Sequence, residues 1–193
     1  MDVKPIVLEG RTARLAPLAA EHADDLAAAA TPEIFTYTFP PPDYSPAGFR
    51  AAIGYIGSLP NWCPFAIVAQ DSGKAVGMTC YLDIRANDRG LEIGFTWLAK
   101  PRHGSLMNPE CKYLLLRHAF VAQQALRVQL KTDARNKQSQ RAIEKLGAVR
   151  EGVLRKHMTM PDGYVRDTVM YSITNDEWPT VRTRLEERLG YVP

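Results

Sequence analysis

Cysteine is scarce. Cys63, Cys80 and Cys111 are scattered, odd in number and free of metal-ligand spacing, which excludes a disulfide framework, gives no metal site, and points to a reducing compartment. Long apolar runs are missing too. None approaches the roughly 18 residues of a membrane-spanning helix, and the opening Met1-Asp2-Val3-Lys4-Pro5 has no signal-peptide core. A soluble, cytoplasmic protein without a membrane partner is the expectation. Nor does one charge sign dominate: Lys+Arg 24 against Asp+Glu 21 leaves +3, too little for a nucleic-acid partner, which calls for a concentrated basic stripe. The positive charge that exists gathers between Arg127 and Arg166, at Lys131, Arg135, Lys137, Arg141, Lys145, Arg150, Arg155 and Lys156. Such a cluster is either a solvated face or the field around a polyanionic ligand. Internal repeats and linkers are also lacking, since Pro40, Pro41 and Pro42 form a rigid loop too short to divide domains.

What is present is ordinary globular material. Hydrophobic residues make up 46% and charged residues 23% of 193, enough apolar surface for one core and too much for disorder. Residues 1–193 are expected to form one domain.

The elements alternate along the chain. A strand at Thr12 to Pro17 precedes a helix near Glu21 to Ala29. Ser45 followed by Pro46 is a strong helix start, with Phe49, Ile53 and Ile56 repeating at helical spacing. Strands at Phe65–Ala69 and Val76–Leu82 flank the turn Asp71-Ser72-Gly73-Lys74, and a further strand runs from Leu91 to Leu98. A helix from about Pro109 to Gln124, a strand at Val128–Lys131 and a helix over Gln138–Leu146 follow. Two last strands flank Pro161-Asp162-Gly163, and a helix carrying Val181, Leu185 and Leu189 closes the chain. Hairpins followed by strand–helix–strand crossovers imply an α/β fold: a twisted mixed sheet of about seven strands with helices on both faces.

The richest segment runs from Trp97 to Glu110. It leaves a strand, passes Lys100, Arg102, His103, Gly104, Ser105, Leu106 and Met107, and enters a helix that Asn108 is expected to cap with Pro109 at its first position. Free main-chain N–H groups at the positive end of a helix make a ready anion site. A plain, well-capped strand-to-helix turn fits the same residues.

Four segments resemble the GNAT acetyltransferases, and within them the RimJ/RimL-type branch that includes ribosomal-protein N-terminal acetyltransferases. They are Leu91 to Leu98; Gly104 to Asn108 with its helix; Lys131-Thr132-Asp133-Ala134-Arg135-Asn136-Lys137-Gln138-Ser139 continuing to Leu146-Gly147-Ala148; and Arg150 to Arg155. The third is the most specific. The resemblance implies an N-acetyltransferase that uses acetyl-CoA as co-substrate and a primary amine, on a protein N-terminus or a small molecule, as acceptor. A homodimer is also implied by resemblance alone.

It further implies that the strand at Leu91–Leu98 splays from its parallel neighbour at Val128–Thr132. The pantetheine arm would lie in the gap, bonded near Trp97 and Leu98, and the pyrophosphate on the N–H groups of Gly104, Ser105, Leu106, Met107 and Asn108, with Arg102 and His103 adding charge. Asn136 matches a position that contacts the arm, so Asn136→Ala is expected to weaken CoA binding with the fold intact. Unpaired main-chain groups along a splayed strand are costly without a ligand. Two departures from the family pattern stand out: Gly104 is the only glycine of the loop, and Ile143 stands where many members carry a Tyr acid.

For the chemistry, Glu92 is the candidate base, working through water, and Ser139 the candidate acid or thiol partner. Each also has a plain structural role open to it, as a paired carboxylate and a helix-start Ser. Tyr171 and Tyr164 are reserves. Cys111 lacks a neighbouring base for a covalent route. Two rival functions remain open: a non-catalytic acyl-CoA-binding domain and a transferase for a larger acyl group.

Overall fold

In the computed structural model, which describes residues 1–191, the chain opens with strands β1 (Leu8–Glu9) and β2 (Ala13–Pro17). Helix α1 (Ala23–Ala29) follows a single 3-10 turn. Helix α2 (Pro46–Ser58) begins where its sequence directs: Ser45 Oγ accepts the Gly48 N–H at 3.1 Å and Pro46 takes the first helical position. Strands β3 (Cys63–Ala69) and β4 (Ala75–Arg85) form the hairpin, and β5 (Gly90–Leu98) pairs back on β4. Helix α3 (Met107–Arg117) runs into a π-helical turn at His118–Ala122. Then come β6 (Arg127–Asp133), α4 (Lys137–Glu144), β7 (Val149–Thr159), β8 (Val165–Thr174) and α5 (Trp178–Leu189).

The strands make one mixed sheet of eight, in the order β1-β2-β3-β4-β5-β6-β8-β7. The strand beyond the expected seven is β1, whose two residues are too few to leave a period-two signature. Among the described strands only β5 and β6 pair in parallel, and they flank the helical crossover of α3.

Strand alternation sends side chains to two separate cores. On one face Leu26, Phe49, Ile53 and Ile56 of α1 and α2 pack on Ala66, Val68, Met78 and Trp97. On the other, Cys111, Leu114, Leu115 and Leu185 of α3 and α5 pack on Leu15, Ile67, Tyr81, Leu91 and Ile93. Each fully buried Leu or Ile contributes roughly 1.5–3 kcal/mol, so both faces of the sheet are held fixed.

The entry to α3 differs from expectation. The helix starts at Met107, with Leu106 at the N-cap position, so Asn108 is not the cap and Pro109 is third rather than first. Ser105 explains the shift: its Oγ accepts the Met107 N–H at 3.3 Å. Pro109 is tolerated there because the first turn's N–H groups have no intrahelical partner anyway. Glu110 then pins the helix to the sheet. Buried to 1% exposure, its carboxylate accepts from the N–H groups of Arg11 (2.8 Å), Thr12 (2.8 Å) and Ala13 (2.9 Å), and from the Thr12 and Tyr191 hydroxyls.

Candidate active site

β5 and β6 pair only at Gly90–Arg127, Leu91–Val128 and Glu92–Gln129. Beyond Glu92 they part, although β5 continues to Leu98 and β6 to Asp133. The cause is local to β5. Its register with β4 slips by one residue between Gly94 and Trp97, and Phe95 adopts φ 52°. A bulge with a residue in the left-handed region bends and twists the strand away from its neighbour.

A cavity of about 500 Å³ opens where the strands diverge. Its lining brings together Glu92, Trp97, Leu98, His103, Gly104, Asn108, Asn136 and Ser139 from the expected site residues. Arg102, Ser105, Leu106 and Met107 are not part of it. Both terminal guanidinium nitrogens of Arg102 are bonded to Asp71 at 2.6 and 2.8 Å, and Lys100 is paired with Glu33 at 3.2 Å, so much of the loop's charge is already matched. Ser105 serves the helix start, Met107 is buried in the core at 3% exposure, and Leu106 points outward at 45%. Gly104 has φ +75°, and a Cβ placed on it would meet no atom within 4 Å, so backbone conformation rather than crowding requires the glycine.

Main-chain groups face the gap as a splayed strand demands. Ala99 donates to Val76 O across to β4 at 2.7 Å, so alternation turns the groups of its neighbour Leu98 toward the opening. His103 Nε2 lies 2.9 Å from Leu98 O and, as donor, occupies that carbonyl. Leu98 N–H is left as the open donor. The Trp97 ring instead packs against Phe35 and Phe49.

Glu92 sits at the fork of the two strands, its side chain 2% exposed. Oε2 accepts from Lys131 Nζ at 3.1 Å and Gln129 Nε2 at 3.0 Å. Oε1 has no hydrogen bond among the described residues, and a Cβ at position 94 would stand 2.8 Å from it. Gly94 therefore makes room for the carboxylate. Its cation partner is a Lys on the neighbouring strand.

Asn136 caps α4 by accepting the Ser139 N–H on Oδ1 at 2.9 Å. Losing such a cap costs about 0.5–2 kcal/mol, so Asn136→Ala lowers stability as well as removing the amide. Its amide nitrogen and the Ser139 hydroxyl make no hydrogen bonds among the described residues, and both residues line the cavity. The two tyrosine reserves are engaged elsewhere. Tyr171 OH donates to Glu144 at 3.0 Å, and the Arg135 guanidinium lies 3.4 Å from the Tyr164 ring centre. Cys111 is fully buried, outside the lining, and burial pushes its thiol up to about 12.

Comparison with known proteins meets this geometry. A family model described as an acetyltransferase (GNAT) domain matches residues 13–149. A solved structure from T. thermophilus, provisionally described as an acetyltransferase, is 43% identical with a TM-score of 0.91, over 98% of this chain and 100% of that one. The chain belongs to the GNAT acetyltransferases.

A GCN5-related N-acetyltransferase from Brucella melitensis is 28% identical (TM-score 0.91, 97% of this chain and 86% of that one). RimJ of Mycobacterium smegmatis, solved in complex with CoA-disulfide, is 20% identical with a TM-score of 0.82, over 95% of each chain. At that identity RimJ speaks for the fold alone. No curated protein matches the chain in sequence.

Two residues that line the cavity escaped the sequence reading. Lys112, 6% exposed, lines the cavity and donates to Thr96 Oγ1 at 2.6 Å, and burial lowers its ammonium to about 8. Arg166, also 6% exposed, lines the cavity from β8. Lys112 had a signal: a charge embedded in the otherwise apolar run Cys111 to Leu116. Arg166 had none, because a charged residue in a strand beside a turn reads as exposed.

Proposed function

We propose that this acetyltransferase moves an acetyl group from acetyl-CoA to a primary amine, both bound at once in the gap between β5 and β6. The observation that carries the reading is the parting of those strands just beyond Glu92, over a cavity that holds Glu92, Asn136 and Ser139 together. The residues present suit a thioester's arm. Among the described residues Leu98 N–H and the Asn136 amide nitrogen lack partners, and unpaired strand groups are costly unless a ligand meets them. The CoA-disulfide complex of RimJ, on the same fold, points to the same kind of ligand.

Acetyl-CoA supplies an activated acyl carbon, whose C–S bond breaks as the C–N bond forms, giving an amide and a free thiol. This chain's residues handle the protons. Glu92 Oε1, the carboxylate oxygen without a partner among the described residues, takes the proton lost by the amine, directly or through one water. The Ser139 hydroxyl, at the positive end of α4, steadies the departing sulfur and relays a proton to it. Leu98 N–H polarises and positions from the strand side.

Thiol release from acetyl-CoA with a panel of primary amines tests the reading. Amine-dependent release with matching amide product is expected. Tight CoA binding without release for any amine would instead make the protein an acyl-CoA-binding domain. Comparison of acetyl-, propionyl- and succinyl-CoA in the same assay fixes the acyl group.

A further inference from the structure

Among the described residues Arg166 is a buried cation without an anion. Its Nε donates to Thr168 Oγ1 at 3.0 Å, Nη1 reaches Tyr37 O only at 3.5 Å, and Nη2 has no hydrogen bond among the described residues. No carboxylate of the described residues lies within ion-pair distance of it. The two acidic groups whose fields reach it are both committed elsewhere. Asp133 is held by Arg135 through Nε (3.1 Å), Nη2 (2.8 Å) and the main-chain N–H (2.8 Å), and Glu92 is held by Lys131 and Gln129. As a residue Arg166 is 6% exposed, so its charge is partly desolvated, and a partly desolvated charge is best compensated by a paired anion with matching hydrogen bonds.

The free edge of the guanidinium borders the same cavity as Glu92. Met158 on β7 is the register partner of Arg166, and Phe39, Trp62 and Phe95 give the same cavity an apolar wall beside the polar Tyr37, Thr38, Lys131 and Thr132. Arg presents a planar fork that matches a carboxylate through two parallel N–H bonds. We infer that the acceptor is a small primary amine carrying a carboxylate on an apolar body, an amino-acid-like molecule, and that Arg166 grips the carboxylate while Glu92 meets the amine. Resting on the transferase reading, this inference narrows its acceptor. Orientation follows from the two charges: one molecule bearing both groups can bind in only one sense, which presents its nitrogen at the fork of the strands.

The test uses binding as well as turnover. Phenylalanine, tryptophan, leucine and methionine are compared with their carboxamides, and with a peptide of free N-terminus and amidated C-terminus. Calorimetry is run on the protein saturated with CoA, and thiol release is followed with acetyl-CoA. At least one amino acid is expected to bind tenfold or more tighter than its carboxamide. Arg166→Gln should remove that difference, Arg166→Lys should restore part of it, and acetyl-CoA affinity should stay unchanged in both. Equal binding of acid and amide by the unaltered protein overturns the inference, as does a preference for the peptide. A fall in acetyl-CoA affinity with Arg166→Gln overturns it too, by giving the guanidinium to the cofactor. Failure of every amine to release thiol sinks the transferase reading instead, and the binding comparison still decides the role of Arg166.

Discussion

Lys131 Nζ lies 3.1 Å from Glu92 Oε2 at the last point where β5 and β6 still touch. One oxygen of the carboxylate is spent on this pair and on Gln129, and the other faces Gly94. In the proposed reaction the first oxygen is structural and the second takes the proton. Glu92→Gln should keep acetyl-CoA affinity and lower kcat by about 10²–10⁴-fold, the usual range for a lost general base. Steady-state kinetics beside calorimetry checks it, and an unaltered kcat removes Glu92 from the chemistry. In urea unfolding, Lys131→Met should cost about 1–3 kcal/mol by leaving a buried carboxylate without its cation, and adding Glu92→Gln should recover part of that.

Asn136 has two duties that separate by substitution. Asn136→Ala loses both the cap of α4 and the amide nitrogen that faces the cavity. Asn136→Ser keeps a capping oxygen and loses only the amide. Acetyl-CoA binding is expected to weaken by roughly 0.5–1.5 kcal/mol in both, while thermal stability falls by about 0.5–2 kcal/mol in the alanine variant alone. An unchanged dissociation constant for the serine variant would remove Asn136 from the cofactor site.

Glu110 should govern the acid limb of stability. Burial pushes its carboxyl up, but donors from Thr12, Tyr191 and Arg11 outweigh that and hold it below the usual carboxylate value. A carboxyl lowered by folding stabilises above its unfolded value, and the contribution is lost as pH falls through the folded one. Glu110→Gln is expected to cost about 1–3 kcal/mol at neutral pH and to flatten the decline below about pH 4. Chemical unfolding across pH 3–7 measures both, and an acid limb as steep as before would argue against it.

Lys112 works in the opposite sense. Burial lowers it to about 8 from 10.5, so between those values the unfolded chain binds a proton that the folded chain does not. Stability should therefore rise with pH across that window, by an amount on the order of 3 kcal/mol. Lys112→Met should stabilise the ligand-free protein at pH 7 and abolish the rise. Thermal melts from pH 7 to 10.5 test the pair, and an identical rise in both proteins would show that another group is responsible.

The turns and strand signals of the sequence were legible because they are local. Ser45 with Pro46 marks a helix start whatever surrounds it, and the hairpin at Asp71 to Lys74 needs only its own residues. The helix start near Asn108 was misplaced because Ser105 offered an earlier oxygen, a choice between two nearby caps that depends on how the loop folds. Within the site, the segment from Lys131 to Ser139 marked Asn136 and Ser139, which the fold does bring to the cavity. Arg102 carried the same chemistry on paper, but Asp71 on the neighbouring hairpin engages it, and nothing within its own segment announces that partner.

By itself, the sequence determined the alternation of elements, written in hydrophobic period and turn chemistry, and carried the contiguous motifs whose resemblance to a family implied the strand that would leave its neighbour. Tertiary structure alone decided which charges are matched and which are left bare. Glu92 with Lys131 and Asp133 with Arg135 are settled pairs, whereas Arg166 is buried with no anion among the described residues. The physical reason is that an ion pair depends on distance and desolvation, and both arise only when segments far apart in the chain are packed against one another.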